Sequence, residues 1–351
     1  MEERTALIAL SRIRGMDNLH KKSIVDTCES VAALFKGKAK DFHAISKEIS
    51  DGSLSVSRIE EDEVRLAAMG VDIVTIKDDA YPPPLREIPD PPIVLYRKGP
   101  LPLSGPTFAI VGARKATFEG MLLAQQIAET LSAGGVIVAS GLARGVDGAA
   151  HKGAMRGKGK TVGVLGCGID ICYPVENWAL FNRMAQEAAI VTEYTPGEPP
   201  LRHHFPERNR IIAGLSRGVL VVEASAKSGS LITARLALDY GREVMAVPGR
   251  VTDEAYKGAN SLIKQGARLV EDIGDIVSCC FPDVEFVRKS AIDINEDEDY
   301  IYSLMGIVRI HVDELIEKSR IPAKKVLAIL TRLEMKDMAR PIPGGFYIRK
   351  V

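Results

Sequence analysis

The chain has 351 residues, 46% of them hydrophobic and 26% charged, the make-up of a globular protein of two or three domains and not of a disordered one. Its 46 Lys and Arg are balanced by 46 Asp and Glu, which excludes a scaffold basic throughout; any hold on nucleic acid must rest on positive charge gathered in one place. No apolar run nears the roughly 20 residues of a membrane span, Met1-Glu2-Glu3-Arg4 lacks a signal-peptide core, and the five cysteines have neither disulfide nor zinc spacing, so the expected compartment is the cytoplasm.

Residues 1–75 read as a small helical unit. Ala6 to Leu10, Ile13, Ile24, Val25, Val31, Ala32 and Leu34 recur at helical spacing, and Arg14-Gly15-Met16-Asp17 marks a turn between two such stretches. The passage from Tyr81-Pro82-Pro83-Pro84 to Pro91-Pro92 is too rich in proline for helix and predicts an extended approach. Six apolar runs of strand length follow: Phe108–Val111, Gly135–Ala139, Thr161–Leu165, Ala189–Thr192, Val219–Val222 and Val244–Val247. Helical patterns at Leu122–Leu131, Trp178–Ala188 and Leu231–Leu238 lie between them. Continuous apolar strands alternating with helices predict a doubly wound, mostly parallel α/β sheet of the extended Rossmann-like type across 80–282. The acidic stretch Asp293-Ile294-Asn295-Glu296-Asp297-Glu298 reads as the end of a linker over 283–298. A basic helical tail over 299–351 turns at Pro343-Gly344-Gly345-Phe346 between two strands. There are no internal repeats.

Ligands of such sheets bind beyond the carboxyl ends of the strands, and here those ends are rich in glycine and cations. The candidate phosphate track consists of Gly112 and Arg114; Ser140, Gly141, Arg144 and Gly145; Gly166 and Gly168; Arg208, Asn209 and Arg210; and Lys227, Ser228 and Gly229. Glycine lets backbone N–H groups approach an anion, helix N-termini favour it, and arginine grips it bidentately. Any one such loop needs glycine merely to turn; five converging on one rim point to a ligand. Arg208 and Arg210 open a helix and serve either as phosphate ligands or as braces against Asp147 or Glu223. Phe205 is either a base-stacking platform or a core residue. His151 reads as a structural hydrogen-bonding residue, the cysteines as small core residues, and His203-His204 lacks the further ligand a metal needs, so neither metal nor cofactor is assigned. Ala154 to Thr161 fits a loose phosphate-loop spacing, but a strand follows it where one should precede it. Gly166-Cys167-Gly168-Ile169-Asp170-Ile171 lacks the third glycine of a dinucleotide fingerprint.

Several of these stretches together resemble one family. Val111-Gly112-Ala113-Arg114, the run Ser140 to Asp147 with His151, Phe205 to Ser216, Ser228 to Ala234, Val247-Pro248-Gly249 and Gly258 to Ile263 look like the successive signatures of the DprA/Smf (DNA processing protein A) family, in family order. The resemblance implies an extended Rossmann-like domain that binds and protects single-stranded DNA and loads the RecA recombinase during natural transformation and homologous recombination. It implies a homodimer and no catalytic turnover. It also implies a sterile-alpha-motif-like, helix-hairpin-helix-type module ahead of that domain and a winged-helix-like one after it. Ala113 departs from the family's usual Thr or Ser, removing one hydroxyl from the track. For the dimer, the helix Leu231–Tyr240 offers an apolar face that serves either a second copy or the sheet. Two rivals share the fold: a nucleotide-processing phosphoribohydrolase, whose Pro-Gly-Gly-x-Gly-Thr loop is not matched by Pro248-Gly249-Arg250, and a sensor of small nucleotides.

Overall fold

The computed structural model describes residues 1–13, 15–35, 56–284, 294–305, 309–336 and 338–349; Arg14 of the expected turn and Asp293 of the acidic stretch lie outside them. Among the described residues the main sheet has nine strands. They are β1 (Val71–Thr75), β2 (Val94–Lys98), β3 (Thr107–Val111), β4 (Ile137–Ser140), β5 (Thr161–Val164), β6 (Ala189–Thr192), β7 (Gly218–Val221), β8 (Glu243–Ala246) and β9 (Arg268–Leu269). Their order is β1-β2-β6-β5-β4-β3-β7-β8-β9, parallel from β6 to β9. Every residue of β3 to β7 is buried, which is why their sequences run apolar without alternation.

The helical reading of residues 1–75 ends in a strand: β1 pairs antiparallel with β2, and β2 with β6. The helices Glu3–Arg12, Asn18–Thr27 and Val56–Ala68 drive Leu7, Leu10, Ile24, Ile59 and Leu66 into the same core as Val94 and Tyr96. The proline-rich approach is not wholly extended, since Pro83–Arg86 makes one helical turn behind Pro82; first-turn positions need no N–H, so proline is at home there. Glu296, Asp297 and Glu298, expected in the linker, form instead the first turn of the helix Glu296–Leu304. Asn295 accepts from Glu298 N at 2.9 Å while Glu298 accepts from Asn295 N at 3.2 Å, and acidic side chains suit a helix N-terminus.

That helix, Val312–Ser319 and Ala323–Met335 close on Ile301, Leu315, Ile329 and Leu330 beside the small sheet of β10 (Ile310–His311), β11 (Ala339–Ile342) and β12 (Phe346–Arg349). This is a winged-helix arrangement, with the expected turn at 343–345 joining β11 to β12. In the main sheet, chain order reverses at β3, which lies between β4 and β7. A crevice opens at such a switch point, beyond the carboxyl ends of the strands.

Candidate nucleic-acid interface

The loop after β3 carries Arg114 out to solvent and is clamped on both flanks. On one, Gly145 (φ +73°) rests on the carbonyl oxygens of Ala113 and Arg114, so closely that any Cβ would collide with the first. Val146 N–H donates to Ala113 O at 3.3 Å there. On the other, the buried carboxylate of Glu223, just past β7, accepts from Thr117 N at 2.9 Å, from the Thr117 hydroxyl, and from Tyr256 Oη at 2.9 Å. Thr117 in turn caps the helix Phe118–Ala133 by accepting from Gly120 N at 3.0 Å. The Arg114 guanidinium lies 5.2 Å over the Phe205 ring, and Tyr173 lies 5.5 Å from the same ring at a 40° tilt. No salt bridge holds Arg114 among the described residues. A cation free of carboxylates over one ring, with a second ring beside it, can meet a phosphate and an unstacked base together.

The family model for DNA recombination-mediator protein A matches residues 72–281, and that for the DprA winged helix domain matches residues 288–345. The chain belongs to the DprA family. DNA processing protein DprA of Streptococcus pneumoniae is 43% identical to it over 205 residues, covering 58% of this chain and 72% of that protein. Protein Smf of Escherichia coli is 36% identical over 285 residues, covering 78% and 76%. The X-ray structure of the S. pneumoniae DprA superposes with a TM-score of 0.69 at 33% identity, over 81% of this chain and 99% of that one. DNA processing protein A of Helicobacter pylori, described for its unique single-stranded DNA binding mode, gives 0.56 at 29% identity, over 61% and 98%.

Within this DprA-family crevice the structure sorts the expected track by depth. Arg114, Arg144, Lys227 and Gly229 are exposed, and Gly112, Gly145, Phe205, Asn209 and Ser228 half-buried at the rim. Arg144 pairs with Glu176, both about 60% exposed. Asn209 Nδ2 donates to Gly229 O at 3.5 Å, joining the loop after β7 to the helix His204–Leu215. Ser140, Gly141, Gly166 and Gly168 are buried and form the floor beneath the exposed members of the track. Ser140 donates to Ile110 O at 2.6 Å, Gly141 makes room for the Arg208 guanidinium, Gly166 lies under Phe205 and Gly168 against Thr195.

Arg208 and Arg210 are both buried and occupied, which favours the bracing alternative, and Arg208 meets the Asp147 expected for it. Arg208 donates to Val164 O and faces Asp147; burial pulls its pKa down and pushes the Asp147 carboxyl up. Arg210 is paired at 2.6 Å with Glu193 and 3.3 Å with Asp90. Against the downward pull of burial, those two carboxylates hold its pKa above the ordinary value. Its partners are thus neither Asp147 nor Glu223. His151 is fully buried: Thr161 Oγ1 donates to Val138 O at 2.7 Å, so it must accept from His151 Nδ1 at 2.7 Å, which places the ring proton on Nδ1. Burial, aided by Arg208, pushes this imidazole down to about 3. His204 Nδ1 meets Gly166 O at 3.2 Å and its ring stacks on Tyr194; among the described residues no group of His, Cys, Asp and Glu is arranged for a metal. Burial raises the Cys167 thiol to about 12. The sequence reading missed three exposed rim residues, Lys115, Tyr173 and Arg202. Arg202, three positions before Phe205, was legible as a cation beside an aromatic. Tyr173 was not, because its role exists only through a ring contact 32 residues further along the chain.

Proposed function

We propose that the crevice binds single-stranded DNA without regard to sequence, protects it, and presents it to a RecA-type recombinase in the cytoplasm, with two copies acting together and no bond made or broken. The observation that carries this reading is Arg114 over Phe205 with Tyr173 alongside, at the switch point of the sheet. Single strands are held by cations tracking phosphates and rings stacking bases, each stacked base contributing about 1–3 kcal/mol. Here Arg114, which lies over Phe205, is joined by the exposed cations Lys115, Arg144, Arg202 and Lys227 in the segments that follow the carboxyl ends of β3, β4, β6 and β7. The single-stranded DNA binding described for the H. pylori relative supports the same use of the fold. All of these residues lie within 80–282, so the reading assigns the helical and winged-helix parts no direct contact with the strand.

The test is fluorescence anisotropy of labelled oligo-dT with the full chain. Saturable binding that falls with salt, and that a mononucleotide does not displace, is the expected result. Displacement by equimolar mononucleotide would transfer the crevice to small-nucleotide sensing, and release of base from that nucleotide would make it an enzyme. For the recombinase step, the chain should speed assembly of RecA on oligo-dT already coated by a single-strand-binding protein; no acceleration would remove that step from the proposal.

A further inference from the structure

Beside Tyr173, which the crevice already uses, two exposed apolar side chains on the same rim, Val175 and Trp178, have no part in it. Tyr173, Val175 and Trp178 are 40%, 72% and 60% exposed. Residues Val175–Asn177 form a single 3-10 turn, in which side chains three apart eclipse, so Val175 and Trp178 present one face. The helix that begins at Trp178 buries Leu180, Phe181 and Met184, and the tryptophan is not among them. An indole left in water at a fixed place is unusual.

The segment is fixed to the rim. Asn177 Nδ2 donates to Leu142 O at 2.9 Å and Ala143 O at 3.1 Å, both in the loop that carries Arg144. At one end Tyr173 meets Phe205, the ring that Arg114 covers. At the other, Arg144 is held among the described residues by Glu176, in an ion pair open to solvent on both sides. Such pairs are weak, and a phosphate can take the arginine from the glutamate.

We propose that Tyr173, Val175 and Trp178 form a second base platform, over which the strand leaves the crevice, and that Glu176 opposes this path by competing with phosphate for Arg144. Single-stranded DNA is the occupant these observations favour, because the platform is continuous with the Arg114–Phe205 pair and bordered by a cation that a phosphate can claim. The inference rests on the reading of the crevice as a single-strand site.

Trp178 is the chain's one tryptophan, so intrinsic emission reports on this position alone. The full chain is titrated with oligo-dT of about 4 and about 16 nucleotides, the span of single-strand sites on small folds. The longer strand is expected to quench the emission and the shorter to leave it unchanged. Trp178→Ala should weaken the longer strand roughly 5- to 100-fold, the loss of about one stacked base, with the shorter unaffected and Trp178→Phe restoring most of the affinity. Glu176→Gln should tighten the longer strand a few-fold, and Arg114→Ala should weaken both. If wild type binds and Arg114→Ala weakens it, but emission and Trp178→Ala affinity do not move, the platform is refuted while the crevice stands. If wild type binds neither strand, the crevice reading falls and the platform with it. A Trp178→Ala chain that changes its sedimentation but not its DNA affinity would make the patch a protein contact and overturn the proposal.

Discussion

Among the arginines of this sheet, burial decides what each one does. Arg114 is exposed and free of carboxylates, whereas Arg210 is sealed between Glu193 and Asp90. Arg114→Ala should therefore lower oligo-dT affinity alike for all sequences and reduce the salt slope by roughly 0.7 for each phosphate that is no longer neutralised, with an unchanged urea midpoint. Arg210→Ala should do the reverse. Removing one partner of a buried ion pair costs about 3–5 kcal/mol, seen as a lower urea midpoint, while the protein that stays folded binds as before. Sequence could not separate the two, because the partners that draw Arg210 inward lie 17 and 120 residues away. His151 gives the pH dependence. Its pKa is about 3 in the folded chain against an ordinary 6.5, so the unfolded chain takes up a proton that the folded one refuses. Its contribution is complete above about pH 6.5 and is lost as pH falls from there towards 3, at a slope on the order of 1.4 kcal/mol per pH unit. Asp147, raised by burial, offsets part of this slope. The decisive quantity is the difference between wild type and His151→Asn, whose urea midpoint should fall less steeply between pH 7 and pH 4; equal slopes would discharge His151 from this role.

The strand-end loops act as elements because they lock into one another, and glycine makes this possible at one point above all. Gly145 combines a positive φ with direct contact on the Ala113 and Arg114 carbonyls. Gly145→Ala should cost about 1–3 kcal/mol in backbone strain and should also weaken oligo-dT binding, since the loop that aims Arg114 has to move. Gly229→Ala is the control: nothing lies within 4 Å of its added Cβ, so urea midpoint and folding should stay unchanged. A neutral Gly145→Ala would show that the clamp is unimportant. The same level explains what the sequence made legible. β3 to β7 were legible because strands covered on both faces must be apolar throughout, and β8 through its buried half at Met245 and Ala246. β1 was hidden behind the helix Val56–Ala68, with Asp72 exposed at its second position, and β2 behind a proline-rich passage that read as an extended approach. The acidic turn at Glu296–Glu298 looked like linker because its charge outweighed the Asn295 capping signal. Of the site, the glycines and Arg114 were visible as a pattern of residue types, but depth within the rim was not. Depth depends on which loops fold over which, as the buried Ser140 and Gly168 show.

At the scale of the molecule the zero net charge is resolved by placement: acids and bases cancel over the chain, while the crevice keeps cations that no carboxylate claims or only weakly holds. A single crevice with a few such groups holds few nucleotides, and pairing two copies makes the second attachment effectively intramolecular, a gain of about 10²–10⁴ where the geometry permits. The helix Ser230–Asp239 shows how the chain could pair. Thr233, Ala234 and Ala237 turn inward to the core, while Ile232 and Leu238 are left 41% and 69% exposed. They flank a groove of about 800 Å³ that is also lined by Ser261 and Leu262 of the neighbouring helix Lys257–Lys264. This face lies towards the β8–β9 edge of the sheet. Sedimentation at micromolar concentration should give a species of twice the 38.1 kDa chain mass. Leu238→Arg, by placing a charge in an apolar interface, should return it to the monomer. That monomer should bind an oligo-dT of about 4 nucleotides as wild type does, because one crevice suffices for it, and should lose the avidity gain on a strand long enough to reach both crevices. A wild-type chain that sediments at 38.1 kDa with and without the long strand would rule out pairing, and the affinity of one crevice would then have to carry the whole hold on DNA.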